Sequence, residues 1–210
     1  MRTLVIDSAT EACSVALFEG DALIAGEFRM LGRGHAEQLV PMIATLPGCG
    51  RAARIAVDIG PGSFTGIRVG LAAARALALA WNAELAGYGA LVMVAAMARA
   101  EAGAEPLDVA MTAGHGEWFV QRFAADGRAT GPVESVAPAV AAARSTVPVV
   151  AGSRAEDMAT LRGSGRALAV WPDARRFALL DPGALTPDPH PAYGRAPDAR
   201  LPGGVPAPAD

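Results

Sequence analysis

The chain holds 210 residues at a formal net charge of -3, and all 18 of its basic residues are arginine. That length suits one large domain or two small ones, and the mild acidity argues against a protein that grips nucleic acid unaided, which carries a basic face. The absence of lysine removes a Walker-type phosphate lysine and Schiff-base chemistry, yet leaves room for a member of an RNA-modifying assembly whose partner supplies the basic surface.

Residues 3–6 read as a buried strand ending at Asp7, followed by the turn Ser8-Ala9-Thr10-Glu11 and a second strand over 13–18. Gly20-Asp21 then makes a hairpin turn into a third strand over 23–28. Leu39, Met42, Ile43 and Leu46 recur at i, i+3, i+4, i+7, so residues 35–46 read as an amphipathic helix that Pro41 kinks or delays. A fourth strand over 54–58, a long helix over 63–81, a short strand over 85–88 and a helix over 90–102 follow. A hairpin meander joined to crossover units predicts a mixed sheet.

A second half begins near Glu105, with paired strands over 107–112 and 118–123, short helices over 137–144 and 154–161, and a strand over 147–151 between those helices. From Pro172 the composition shifts, and nine of the sixteen prolines fall between Pro172 and Pro208, which reads as an ordered wrap with a loose end and no regular element. The organisation expected is a first lobe over 1–104, a smaller second lobe over 105–186 and a proline-rich tail over 187–210. Cys13 and Cys49 make no disulfide framework, and the first is best read as a small buried strand residue. The amino end meets Asp7 too early for a signal core, and the longest uncharged run, 85–98, has 14 residues where a membrane helix needs about 20. A soluble, cytoplasmic protein without a membrane partner is expected.

The richest segment runs from Asp58 to Trp81. Gly60-Pro61-Gly62-Ser63-Phe64-Thr65-Gly66 has Gly66-Ile67-Arg68 where a Walker loop needs Gly-Lys-Ser/Thr, and its glycine spacing misses the dinucleotide fingerprint by one residue. Gly60, Gly62 and the N-cap Ser63 could cradle a phosphate, with Arg68 as a ligand. Equally, the glycines could serve packing, and Arg68 could neutralise a carboxylate at an interface. Asp7, Ser8 and Thr10 at a strand end could hold Mg²⁺ and phosphates, or could bond their own turn. His35, His115 and His190 lack ligand spacing, so no metal site is expected, and nothing assembles a nucleophile or any other catalytic group.

The long helix is apolar almost all round. Phe64, Ile67, Leu71, Ala74, Ala78 and Trp81 form one stripe, with Val69, Ala72, Ala73, Ala76 and Leu77 opposite. Such a helix buries more than one side, against its own sheet and either its own first helix or a partner. The partner interface expected comprises Leu39, Met42, Ile43, Leu46, Phe64, Ile67, Arg68, Leu71 and Arg75.

Three segments, LVIDSATEACSVA at 4–16, HAEQLVPMI at 35–43 and GPGSFTGIRVGL at 60–71, strongly resemble the TsaB (YeaZ) family of threonylcarbamoyladenosine biosynthesis subunits. That family also keeps a proline where Pro41 stands. The resemblance implies an α/β fold with mixed sheets in two lobes, like actin, the sugar kinases and the heat-shock ATPases. It implies a non-catalytic subunit that pairs with a TsaD-like catalytic subunit through the helices at 35–46 and 63–81, and works with a TsaE-like ATPase. The assembly passes threonylcarbamoyl to an adenosine beside the tRNA anticodon. The chain alone is expected to be a homodimer, to meet tRNA indirectly and to hold no tight cofactor, with ATP or ADP and Mg bound only within the complex. The competing reading is an independent phosphotransferase using Asp7, Thr10 and the 60–66 turn; a homodimer of purely structural role is a third. The family's Asp-Ala-Arg-Arg-Gly-Glu-Val-Tyr is replaced here by Thr112-Ala113-Gly114-His115-Gly116-Glu117-Trp118-Phe119, losing the acid and both arginines. The second half otherwise matches loosely, through Ala151-Gly152 and through Pro191-Ala192-Tyr193-Gly194-Arg195.

Overall fold

A computed structural model describes residues 1–194. β1 (Arg2–Asp7), β2 (Ala12–Glu19) and β3 (Ala22–Met30) form an antiparallel meander. After α1 (His35–Thr45), β4 (Arg54–Asp58) pairs parallel to β1. After α2 (Phe64–Trp81), β5 (Glu84–Tyr88) pairs parallel to β4, and α3 (Ala90–Ala102) leads to the second lobe.

That lobe holds β6 (Leu107–Gly114), β7 (Glu117–Phe123), β8 (Glu134–Val136), α4 (Pro138–Arg144), β9 (Val149–Ala151), α5 (Ala155–Arg162) and β10 (Arg166–Leu168). Finally β11 (Thr186–Pro187) returns to the edge of the first sheet, whose order is β11-β5-β4-β1-β2-β3. The second sheet runs β10-β9-β6-β7-β8.

Period-two side chains sort the core into layers. Leu4 and Ile6 of β1, Val15 and Leu17 of β2, and Ile55 and Val57 of β4 face α1 and α2. The alternate residues Val5, Ala16, Phe18 and Ala56 face the opposite way, toward Tyr88, Met93 and Ala174. On its far side α3 packs Leu91, Val94 and Ala98 against Leu107, Val109 and Phe119 of the second sheet. The uncharged run at 85–98 is therefore β5 and a helix sandwiched between two sheets. α4 and α5 cover the other face of the second sheet, through Ala141, Ala155 and Met158.

Several expectations change. α1 starts at His35 and runs through Pro41, ending at Thr45 with Leu46 as its cap. β8 and β10 are too short to show in periodicity. The proline-rich stretch is partly regular: Ala174–Leu179 and Pro182–Ala184 form 3-10 turns and β11 adds to an edge strand. Ala174 and Leu180 are buried with Val5, Phe18 and Tyr88, so this segment belongs to the first lobe and not to a second lobe ending at 186. A two-residue strand at a sheet edge tolerates Pro187, because an edge residue can leave its missing N–H outward. Arg195, and the tail expected beyond it, lie outside the described residues.

Candidate functional site

The β1–β2 turn and the 60–66 turn meet, but they fill the space between them. Asp7, Ser8 and Thr10 are all buried. Ser8 Oγ donates to the Gly66 carbonyl at 2.9 Å, and the Ser63 amide donates to the Ala9 carbonyl at 2.6 Å. A Cβ added at Gly62 would overlap the Ala9 carbonyl, and one at Gly66 would overlap that of Ser8. Gly70 would place a Cβ 2.5 Å from Ser8 Oγ. Gly60 sits at φ 98°, a backbone conformation that favours glycine.

The remaining polar groups are spent locally. Thr10 Oγ1 accepts from the Ala12 amide at 3.2 Å, and the Ser63 hydroxyl caps α2 by accepting from the Gly66 amide at 3.2 Å. Turn bonding and close packing account for Ser8, Thr10, Gly62 and Ser63 among the residues singled out for phosphate, which also include Asp7 and Gly60. Glycine spacing alone could not distinguish packing from phosphate binding, because both demand backbone approach.

The structure adds a residue that sequence reading missed. Asp58 ends β4, one residue beyond the Ile6–Val57 pair of the parallel register, so its carboxylate lies beside Asp7. Both are almost completely buried. Tyr88 donates to Asp7 Oδ2 at 3.0 Å, and the Gly60 amide donates to Asp58 Oδ1 at 2.7 Å. Burial pushes the Asp7 carboxyl up to about 6, against hydrogen bonds from Asp58 and Tyr88 that lower it. Burial, and then the charge of Asp7, hold Asp58 well above the ordinary carboxylate range. Two acids closing adjacent buried strands, in a chain without lysine, were the available signal.

The expected interface residues divide sharply. Leu39, Met42, Ile43, Leu46, Ile67 and Leu71 lie at 5% exposure or less within the chain's own core, so their assignment to a partner surface is corrected. Their side chains fill the space under two helices that lie on one sheet face. Phe64, Arg68 and Arg75 stay exposed, but a strap of residues 186–194 engages them. Tyr193 stacks on Phe64 with ring centroids 5.5 Å apart, and the Arg68 guanidinium lies 3.2 Å from the Phe64 ring centre. Arg75 Nη2 donates to the Pro189 carbonyl at 2.8 Å.

What α1 and α2 leave outward is a different set of residues. Ala36, Val40 and Ala44 on α1, and Ala72, Ala76, Leu79 and Ala80 on α2, are exposed. Leu79 is 87% exposed and Val40 59%. α1 packs beside α2 on the same sheet face, and these outward residues share the two helices with exposed Glu37, Thr45 and Arg75. By length and composition α2 is apolar enough to span a membrane, and only 28% of it is buried. The second-lobe turn, by contrast, is polar: Arg154 Nε donates to Thr112 Oγ1 at 3.0 Å, and the Ser153 hydroxyl accepts from the Thr112 amide at 3.2 Å. Among the described residues no group of three or more His, Cys, Asp or Glu is placed to hold a metal.

Two mixed sheets with a helix between them, and a carboxy-terminal segment returning to the first, define a two-lobed actin-like ATPase fold. The ethanolamine utilization protein EutJ from Carboxydothermus hydrogenoformans shares this fold over 86% of the chain and 90% of its own, with TM-score 0.50 and 14% identity. The family described as "TsaD: tRNA N6-adenosine threonylcarbamoyltransferase" matches residues 29–160, and the chain belongs to it, in the TsaB (YeaZ) branch. TsaB of Escherichia coli (strain K12) is 37% identical over 131 residues, which are 60% of this chain and 56% of that protein. TsaB of Bacillus subtilis (strain 168) is 31% identical over 104 residues, 47% of this chain and 45% of that one. The chain thus spans about half the length of these curated relatives. Among solved structures, YeaZ from Pseudomonas aeruginosa superposes with TM-score 0.71 at 29% identity, covering 85% of this chain and 89% of its own.

Proposed function

We propose that the chain is a non-catalytic subunit of the machinery that makes threonylcarbamoyladenosine in tRNA, and that its α1–α2 face docks a TsaD-like catalytic subunit of the same fold. The observation that carries this reading is the contrast between two sites. At the strand ends, Ser8, Thr10 and Ser63 are engaged within the chain's own turns. Beside them, two helices present an apolar face of alanine with Val40 and Leu79. Small side chains let a second helix pair approach closely, and an exposed apolar patch of this kind marks an interaction surface.

In this reading a TsaE-like ATPase works with the assembly, tRNA meets the chain only through its partner, and the free chain pairs with itself through the same face. Any ATP or ADP with Mg is bound only once the complex forms. The location is the cytoplasm, where tRNA is modified.

Mixing the chain with a TsaD-like subunit and measuring complex mass by light scattering tests the proposal. Complex formation that Ala76→Arg abolishes supports it; no complex with the unmutated chain overturns it.

A further inference from the structure

We propose that residues 187–194 are a clasp between the two sheets, holding β7 of the second against the turn that starts α2, so that the spacing of the sheets and the footing of α2 are set together. The chain crosses between the sheets twice, through α3 and through the segment after β10. α3 meets both sheets through apolar contacts, Met93 on one side and Leu91 and Val94 on the other. Small sliding of packed helices along such contacts is a common mode of motion between lobes. A further attachment at the strap opposes that sliding.

The strap runs from the edge of the first sheet to the second. Thr186 and Pro187 pair with Gly87 and Ala86 of β5. Asp188 then bends the chain at φ 52°, a left-handed conformation that aspartate tolerates. Pro189 is buried, and its carbonyl accepts from Arg75 of α2. The Ala192 amide donates to the Ile59 carbonyl at 2.8 Å, and Tyr193 stacks on Phe64. Gly194 ends the path against both Phe119 of β7 and Pro61 of the first-lobe turn.

Glycine seats this path at three points. A Cβ at Gly87 would stand 2.7 Å from Pro189 Cβ, and one at Gly60 would stand 2.9 Å from the Ala192 carbonyl oxygen. At Gly194 a Cβ would stand 2.5 Å from Phe119 Cε1 and 2.9 Å from Pro61 Cβ. None of the three positions has room for a side chain, so backbone approach is what each provides. The Phe119 ring cannot swing aside, because it is 4% exposed and packed in the core beside α3. Gly194 is thus wedged between a fixed ring of one sheet and a buried proline of the other lobe. Closely packed groups of this kind pass on a displacement instead of absorbing it. A shift of β7 therefore bears on the 60–66 turn and, through Tyr193, on Phe64. Its consequence for partner docking rests on the reading of α2 given above; the clasp itself does not.

Spin labels on the full chain test the clasp without a partner. Cys49 in the first lobe and Ser164→Cys in the second are exposed sites, whereas Cys13 is buried. Pulsed electron resonance should give one narrow distance between the labels in the otherwise unmutated chain. Gly194→Val should shift or broaden that distance. It should also speed amide exchange at residues 62–66 by about fivefold or more, the factor that one net hydrogen bond carries. Faster exchange at Ala192 alone, with the distance and the turn unchanged, would mean a frayed strap end and overturns the proposal. If Gly194→Val does not fold, Ala192→Pro decides, since it removes the donor to Ile59 from an exposed residue. A distance that Ala192→Pro leaves unchanged overturns the clasp; a broadened one supports it.

Discussion

The hydroxyl of Ser8 donates to the carbonyl of Gly66, 58 residues further along the chain, at 2.9 Å. This bond nails the first turn of α2 onto the β1–β2 turn, and it exists because glycine leaves the backbones free to touch. Gly66→Ala should then invert the usual rule. In a helix interior alanine is favoured by about 1 kcal/mol, but here its Cβ would overlap the Ser8 carbonyl. Overpacking against backbone should leave a net loss of about 1–3 kcal/mol in urea unfolding. Gly131→Ala, where the added Cβ meets nothing within 4 Å, is the control and should be near neutral.

Tyr88 is fully buried and its hydroxyl lies 3.0 Å from Asp7 Oδ2 and 3.2 Å from the Ile6 carbonyl. Tyr88→Phe keeps the ring and removes the donor, leaving a buried carboxylate oxygen unpaired. A loss of about 1–3 kcal/mol is expected. An unfolding midpoint equal to that of the unmutated chain would refute the role assigned to this hydroxyl.

Leu71 and Leu79 share a helix but not a face. Leu71 is 2% exposed and Leu79 87%. Leu71→Glu buries a charge without a partner and should abolish the cooperative thermal transition. Leu79→Glu should stay within about 0.5 kcal/mol of the unmutated stability while losing the TsaD-like partner. Circular dichroism melts paired with light scattering separate the two outcomes.

The strap is held by the β11–β5 pairing and by the Ala192 amide donating to the Ile59 carbonyl at 2.8 Å, and on its outer side by two side-chain contacts, Arg75 to the Pro189 carbonyl and Tyr193 on Phe64. Each side-chain contact is worth about 0.5–1.5 kcal/mol. Combining Arg75→Ala with Tyr193→Ala should speed proteolytic cleavage within residues 186–194 several-fold, with little change in melting temperature because the sheet beneath is intact. Unchanged cleavage would show that the strap is fixed elsewhere.

Burial, with the neighbouring Asp7 charge adding to it, pushes the Cys13 thiol up to about 12, whereas Cys49 is exposed on a turn. A thiol reagent at about pH 8 should therefore modify one cysteine per folded chain, and two once urea is added. Rapid modification of both in the folded state would contradict the packing of β2.

Much of this architecture is legible in the chain itself. The short apolar runs at residues 3–6 and 13–18 and the helical spacing of Leu39, Met42, Ile43 and Leu46 are purely local signals, and each matches an element found in the fold. Periodicity reports that a side chain is buried, however, and not by what. Leu39 and Leu71 satisfy the stripe by packing into their own sheet, so the outward face falls to Ala76 of the opposite stripe and to Val40 and Leu79, whose positions looked ordinary in the sequence.

Sequence by itself determined the element types of residues 1–102, the absence of a lysine-based chemistry and the family signature at 60–71. Tertiary structure alone decided that the glycines seat the 60–66 turn against the β1–β2 turn, that Asp58 comes beside Asp7, and that residues 174–187 rejoin the first lobe. These are contacts between segments some 50 to 180 residues apart. Their geometry comes from strand register and helix packing over the whole molecule, which no local pattern encodes.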